Sequence, residues 1–184
     1  MKQLVLILCM GFFMVIFSWG QNRKVPIQNK QENILSKTNS SISGNDFAAR
    51  FMKGYASDDN IHCITLSPHM LEEMIKVTKE ANNEQRKINE ILGHLKSIRI
   101  IEARNSSSKY HENAEDLLNK NKLRYQQIVS DTTDEKNSQV WIRKKGENIM
   151  ELVLLKLSRD NTFQLVNITG NMNDEVINEL MKIN

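Results

Sequence analysis

The distribution of apolar and polar positions divides the chain into three regimes. Leu4 to Phe17 is an apolar run of 14 residues interrupted only by Gly11. Gln21 to Asn45 holds few large apolar residues and is dominated by Gln, Asn, Lys and Ser. From Asp46 onward, apolar residues recur at the spacings of helices and strands.

Phe47, Phe51 and Tyr55, four residues apart with Ala48 and Met52 alongside, predict a helix capped by Asn45 or Asp46 and ended by Asp58-Asp59-Asn60. Ile61 to Leu66 reads as a short strand. Ser67-Pro68 is a helix start, because Pro fits the first turn and Ser caps free amides. Met70, Leu71, Met74, Ile75, Thr78 and Ala81 line the face of that helix. A polar stretch at 82–87 leads into a short helical piece at Ile88, Ile91 and Leu92 that stops at Gly93. Lys96 to Arg104 is a second strand, and Asn105 to Ser108 a loop. A long helix is expected from Lys109 to Ser130, with Tyr110, Ala114, Leu117, Leu118, Tyr125, Ile128 and Val129 inward.

Gln139–Lys144, Ile149–Ser158 and Thr162–Thr169 predict three strands joined by short turn-like links. Asn173 caps a last helix with Asp174 and Glu175 in its first turn. Met172 is placed to staple onto Ile177. The order α-β-α-β-α-β-β-β-α implies an α+β fold with a mixed five-stranded sheet packed by helices. Its first two strands are joined by a helical crossover and its last three form an antiparallel meander. Strand 149–158 is apolar on both faces and should be central.

The first regime has the order of an export signal. Lys2 gives a positive start, the apolar run follows, and Ser18-Trp19-Gly20 sets small residues before Gln21. The alternative is an uncleaved anchor, but a bilayer core needs roughly 20 apolar residues. The expected organisation is a cleavable signal peptide at 1–20, a flexible polar tether at 21–45, and a single α+β domain at 46–184. The tether cannot bury enough surface to offset its ordering entropy. Its typical reach is on the order of 25–30 Å.

Several segments together resemble a known family. They are Ile61-His62-Cys63-Ile64-Thr65-Leu66-Ser67 before a Met-rich helix, Leu95-Lys96-Ser97-Ile98-Arg99-Ile100, and Glu151-Leu152-Val153-Leu154-Leu155. The run from Phe163 to Met172 completes the set. With the exported leader, they resemble the exported bacterial family known as domain of unknown function 4252, over roughly residues 46–183. The motifs are packing patterns, and the Lys- and Asn-rich insert at 82–94 fits least well. The resemblance implies a Gram-negative envelope or periplasmic setting and carries over no activity and no site residues.

Charge narrows the partners. The chain carries 25 basic and 22 acidic residues, net +3. Lys2 is the one charged residue of the leader, so the remainder is at +2, with no dense basic stripe for nucleic acid. Cys9 lies in the leader behind Leu8, which disfavours lipidation. Cys63 is left without an internal disulfide partner.

Candidate chemistry is sparse. His62, Cys63, His69, His94 and His111 are possible soft metal ligands, but no His pair stands at i, i+4 and no paired-Cys motif exists. Adjacent strand residues His62 and Cys63 must face opposite ways. Cys63 shares its face with Ile61 and Thr65, as a small core residue does. Ser67 reads as a cap rather than a nucleophile. The carboxylate pairs Asp58-Asp59, Glu72-Glu73, Glu115-Asp116 and Asp134-Glu135 read as solvated charge. Arg143-Lys144-Lys145, with Trp141 behind, reads as a solvated hairpin tip that could meet anionic lipid or glycan. No catalytic, cofactor-binding or metal residues are assigned, and no cofactor is expected. The reading is an exported envelope protein that binds a protein partner, without an integral membrane domain once the signal is removed. The alternative is a small exported hydrolase whose site assembles His62, Cys63, His69 and nearby acids.

Overall fold

The structure, a computed structural model, describes residues 45–77, 83–133 and 136–182. The leader, the tether up to residue 44, the Asp134-Glu135 pair and the expected helix end at 78–81 lie outside the described residues. The helices are α1 (Phe47–Met52, followed by one 3-10 turn, Lys53–Tyr55), α2 (Pro68–Val77), α3 (Asn83–Gly93), α4 (Ser107–Asn119) and α5 (Asp174–Lys182). The strands are β1 (Ile61–Leu66), β2 (Leu95–Ala103), β3 (Gln126–Thr133), β4 (Lys136–Lys145), β5 (Asn148–Ser158) and β6 (Phe163–Met172). They form one α+β fold whose sheet has the order β1-β2-β6-β5-β4-β3, antiparallel throughout.

The expected caps are in place. Asp46 Oδ1 accepts from the Ala49 N–H at 2.8 Å, Ser67 Oγ from Met70 at 3.3 Å, and Asn173 Oδ1 from Val176 at 2.9 Å. Each satisfies an amide that the first helical turn leaves without a backbone partner.

Three expectations are corrected. The sheet has six strands, not five, because the helix expected at 109–130 stops at Asn119 and the chain re-enters the sheet as β3. Asn121 makes the break: its Nδ2 donates to the Leu117 carbonyl at 2.8 Å, while its own carbonyl receives the Arg124 and Tyr125 N–H groups. The residues beyond, Gln126 to Thr133, are rich in β-branched side chains that fit a strand better than a helix. β1 and β2 are antiparallel neighbours, not a parallel crossover pair. Two helices, α2 and α3, separate them, and an outward and a return pass bring the chain back to the end of the sheet it left. The element order is therefore α-β-α-α-β-α-β-β-β-β-α among the described residues.

Helices cover both sheet faces. α1 and α4 pack against Ile101, Trp141, Val153, Leu155, Phe163 and Leu165 on one face. On the other, α2, α3 and α5 pack against Leu66, Ile98, Ile142, Leu152, Ile168 and Met172. β5 lies between β6 and β4, with Val153 and Leu155 facing one cluster and Leu152 the other, as its two-sided apolar pattern predicts. Met172 and Ile177 join the second cluster. At the β2–β6 irregularity, a Cβ on Gly170 would collide with the His94 carbonyl, so only glycine lets the two backbones approach.

Candidate functional site

The densest polar constellation lies under α1, on the face that α4 also covers. Glu151 stands near the start of β5 with no exposed surface. Register places it opposite Arg143 of β4 and Thr169 of β6. Its Oε1 accepts from the Phe47 N–H and from Asn167 Nδ2 (3.0 Å). Its Oε2 accepts from Tyr125 OH (2.9 Å) and Arg143 Nε (2.8 Å). Asn167 Oδ1 accepts from the Ala48 N–H at 3.0 Å, so two β-sheet side chains receive the first amides of α1. Arg50 Nη2 donates to Tyr125 OH at 2.6 Å, and its guanidinium lies 5.5 Å from the centre of that ring. Burial first, then the Glu151 charge, push the Tyr125 phenol up to about 12.

A carboxylate offers about four lone-pair positions, and Glu151 has all of them filled by protein donors. None is left to take a proton from a substrate. The chemistry this arrangement performs is to hold α1 on the sheet.

The candidate nucleophile and metal ligands do not converge. Cys63 faces the first core cluster, paired with Ile101, while His62 faces the other way, opposite Glu102. Burial raises the Cys63 thiol above its ordinary value and keeps it protonated, the reverse of what a thiolate nucleophile needs. Glu102 Oε1 accepts from Gln164 Nε2 at 2.8 Å. His69 lies on α2 and His94 between α3 and β2. His111, on α4, is 3% exposed against the edge of Phe163, and among the described residues its Nε2 has no hydrogen-bond partner. Among the described residues no group of three His, Cys, Asp or Glu side chains is arranged to hold a metal ion.

Asp58 takes Tyr110 OH at 2.6 Å and the Asn60 amide, which hold its carboxyl below the usual range. Arg143 of the expected basic tip is engaged by Glu151, and Lys144 lies 3.6 Å from Asp174.

The open chemistry is apolar. On the face carrying α2, α3 and α5, register aligns Ile64, Ile100, Val166, Leu154, Val140 and Val129 in one row across all six strands. The neighbouring row, Leu66 to Ile142, is buried beneath the helices. In the first row Ile100, Val166 and Leu154 are only half-buried, and Ile64 is 57% exposed. β1 is also an edge strand with no charge, no proline and no register break, whereas the opposite edge, β3, carries a break at Gln127/Val129 and Asp131. Edges are normally blunted by such devices.

Sequence reasoning did not single out Glu151 or the Ile64 row. A lone acid inside an otherwise apolar central strand was the available signal for the first. The second depends on strand order, which periodicity does not supply.

Among the described residues no helix is long and apolar enough to cross a membrane. No curated protein and no solved structure matches the chain. The family model described as Domain of unknown function (DUF4252) matches residues 55–180, a span that contains all six strands and begins just after α1. The chain belongs to that family.

Proposed function

We propose that this is an exported cell-envelope protein of a Gram-negative bacterium whose folded domain binds a protein partner through the β1 margin of its sheet. The observation that carries the reading is Ile64: a large apolar side chain 57% exposed on an unblunted edge strand, in line with a half-buried apolar row. An extended partner segment adding to β1 would pair the free strand edge and bury Ile64, with the row giving side-chain contacts. The saturated Glu151 carboxylate and the protonated Cys63 thiol favour binding over catalysis.

The test combines two measurements. Affinity capture of the processed protein from envelope extract should recover a stoichiometric protein partner, and Ile64→Asp should lose it while keeping the parent's circular dichroism. Amide exchange of residues 61–66 should slow in the complex. Turnover of a screened substrate that persists in Ile64→Asp would refute the binding reading. Export is tested separately: the envelope fraction should contain a chain beginning near Gln21, and an unprocessed chain confined to the cytoplasm would refute it.

A further inference from the structure

The end of the sheet where β3 begins and the β4–β5 hairpin turns carries a different surface. The link from α4 to β3 reads Lys120-Asn121-Lys122-Leu123-Arg124. Its cations are exposed, and Leu123 is wholly so. Among the described residues none of Lys120, Lys122 or Arg124 is in an ion pair. Residues 117–130 contain no acid. The β4–β5 hairpin lies at the same end, since Gln126 pairs with Ile142 and Lys145 with Asn148, and its tip carries exposed Lys145 and exposed Glu147, so the net positive charge of this end comes from the link.

The link is not slack. Leu118 and Tyr125 at its two ends are buried, and backbone bonds from Lys120 to Asp116, Asn121 to Leu118, and Arg124 and Tyr125 to Asn121 hold it as a tight turn. Tyr125 is further fixed by Glu151. A turn braced in this way holds its leucine out in solvent, between two cations.

A cation on either side of a projecting leucine matches an anionic bilayer surface. Lys and Arg attract the headgroups while the apolar tip enters the acyl boundary. The start of the domain lies at the same end, because α1 begins at Glu151, three residues into β5.

We infer that the Lys120–Arg124 turn docks the domain peripherally on anionic phospholipid, with Leu123 inserted and Lys120, Lys122 and Arg124 at the headgroups. This surface lies on the β3 side of the sheet, away from the β1 margin, and stands independently of the partner reading.

The experiment is cosedimentation of the full chain with phosphatidylcholine vesicles and with vesicles of phosphatidylcholine mixed with phosphatidylglycerol. Because the leader is itself apolar, the readout is the gain on anionic over neutral vesicles. Each cation near an anionic surface contributes about fivefold in partitioning. The triple variant Lys120→Gln, Lys122→Gln, Arg124→Gln should lose on the order of 100-fold of the gain, and added salt should weaken the parent in the same direction. Leu123→Ser, which keeps every charge, should also weaken the gain, and Ile64→Asp should leave it unchanged. Equal binding of the parent to both vesicle types would overturn the inference. So would a gain that survives the triple variant. A gain lost in the triple variant but untouched by Leu123→Ser would indicate a seat for a soluble polyanion and would overturn bilayer docking.

Discussion

Replacing Glu151 by alanine removes the acceptor of four donors at once. The Phe47 amide, Asn167 Nδ2, Tyr125 OH and the Arg143 guanidinium would all face the vacated site. Truncating one member of a buried ion pair costs about 3–5 kcal/mol, because the remaining charge is stranded. Arg143 is 27% exposed and can turn partly to water, which places the pair at the lower end. The Phe47 amide starts a helix packed against the sheet and has no such escape. An unsatisfied buried donor adds about 1–3 kcal/mol. The expected loss is therefore about 4 kcal/mol, a large fraction of the roughly 5–15 kcal/mol that holds a domain of this size. Tm should fall on the order of 10–20 °C.

Glu151→Gln keeps the shape but turns an NH₂ toward two donors, and should lose about 2–3 kcal/mol. Urea unfolding followed by far-ultraviolet circular dichroism measures both, with Trp141 fluorescence as a second probe of the same core. In the double variant Glu151→Ala, Arg143→Met, part of the loss should return, because no guanidinium is then stranded. A loss below about 1 kcal/mol for Glu151→Ala would refute the claim that this carboxylate holds α1 in place.

Three other residues carry measurable consequences. Burial holds the His111 imidazole below its ordinary value of 6.5, so the unfolded chain binds this proton more readily than the folded one. Its contribution to stability is complete above pH 6.5 and falls as pH drops toward the lowered folded value. Urea midpoints above and below pH 6.5 should differ less in His111→Leu than in the parent. Gly170→Ala should destabilise by about 1–3 kcal/mol through collision with the His94 carbonyl, and an unchanged midpoint would mean the backbones can part freely. Asp46→Ala should cost about 1–2 kcal/mol in thermal unfolding, since Asp46 both caps α1 and meets Arg99 at 3.3 Å.

Much of the fold was legible because its signals are local. Asp46, Ser67 and Asn173 cap their helices as their side-chain chemistry dictates, and β5 is central because it is apolar on both faces. The failures share a cause. Tyr125, Ile128 and Val129 continue the apolar spacing of α4, so periodicity alone carries the helix past Asn121, and only the β-branched content of 126–133 argues otherwise. The direction of β2 depends on whether one helix or two precede it; the second reads from sequence only as a short piece at 88–92, because the polar run before Ile88 hides that it begins at Asn83. The Glu151 network could not be read at all. Its members lie at positions 47, 125, 143, 151 and 167, and they meet only when β4, β5 and β6 are aligned and α1 is laid across them.

That network also bears on where function can reside. A buried carboxylate beside an arginine, a tyrosine and a helix start has the ingredients of an active site. What separates a site from a strut is unfilled valence, and here all four acceptor positions of the carboxylate are taken by protein donors. Beside single buried atoms such as His111 Nε2 and Arg50 Nε, the features left open among the described residues are of other kinds: the edge of β1 with Ile64, and the cations and leucine of the turn after α4. Both are surfaces rather than pockets, and both are presented by hydrogen-bonded backbone. Tyr125 couples the two themes, because the residue that ends the exposed turn is also a donor to Glu151. Removing the Glu151 carboxylate should therefore loosen the Lys120–Arg124 turn and α1 together. Amide exchange in Glu151→Gln under conditions where the rest of the sheet stays protected is the measurement. Faster exchange confined to α1, with the turn unchanged, would separate the strut from the surface it is argued to brace.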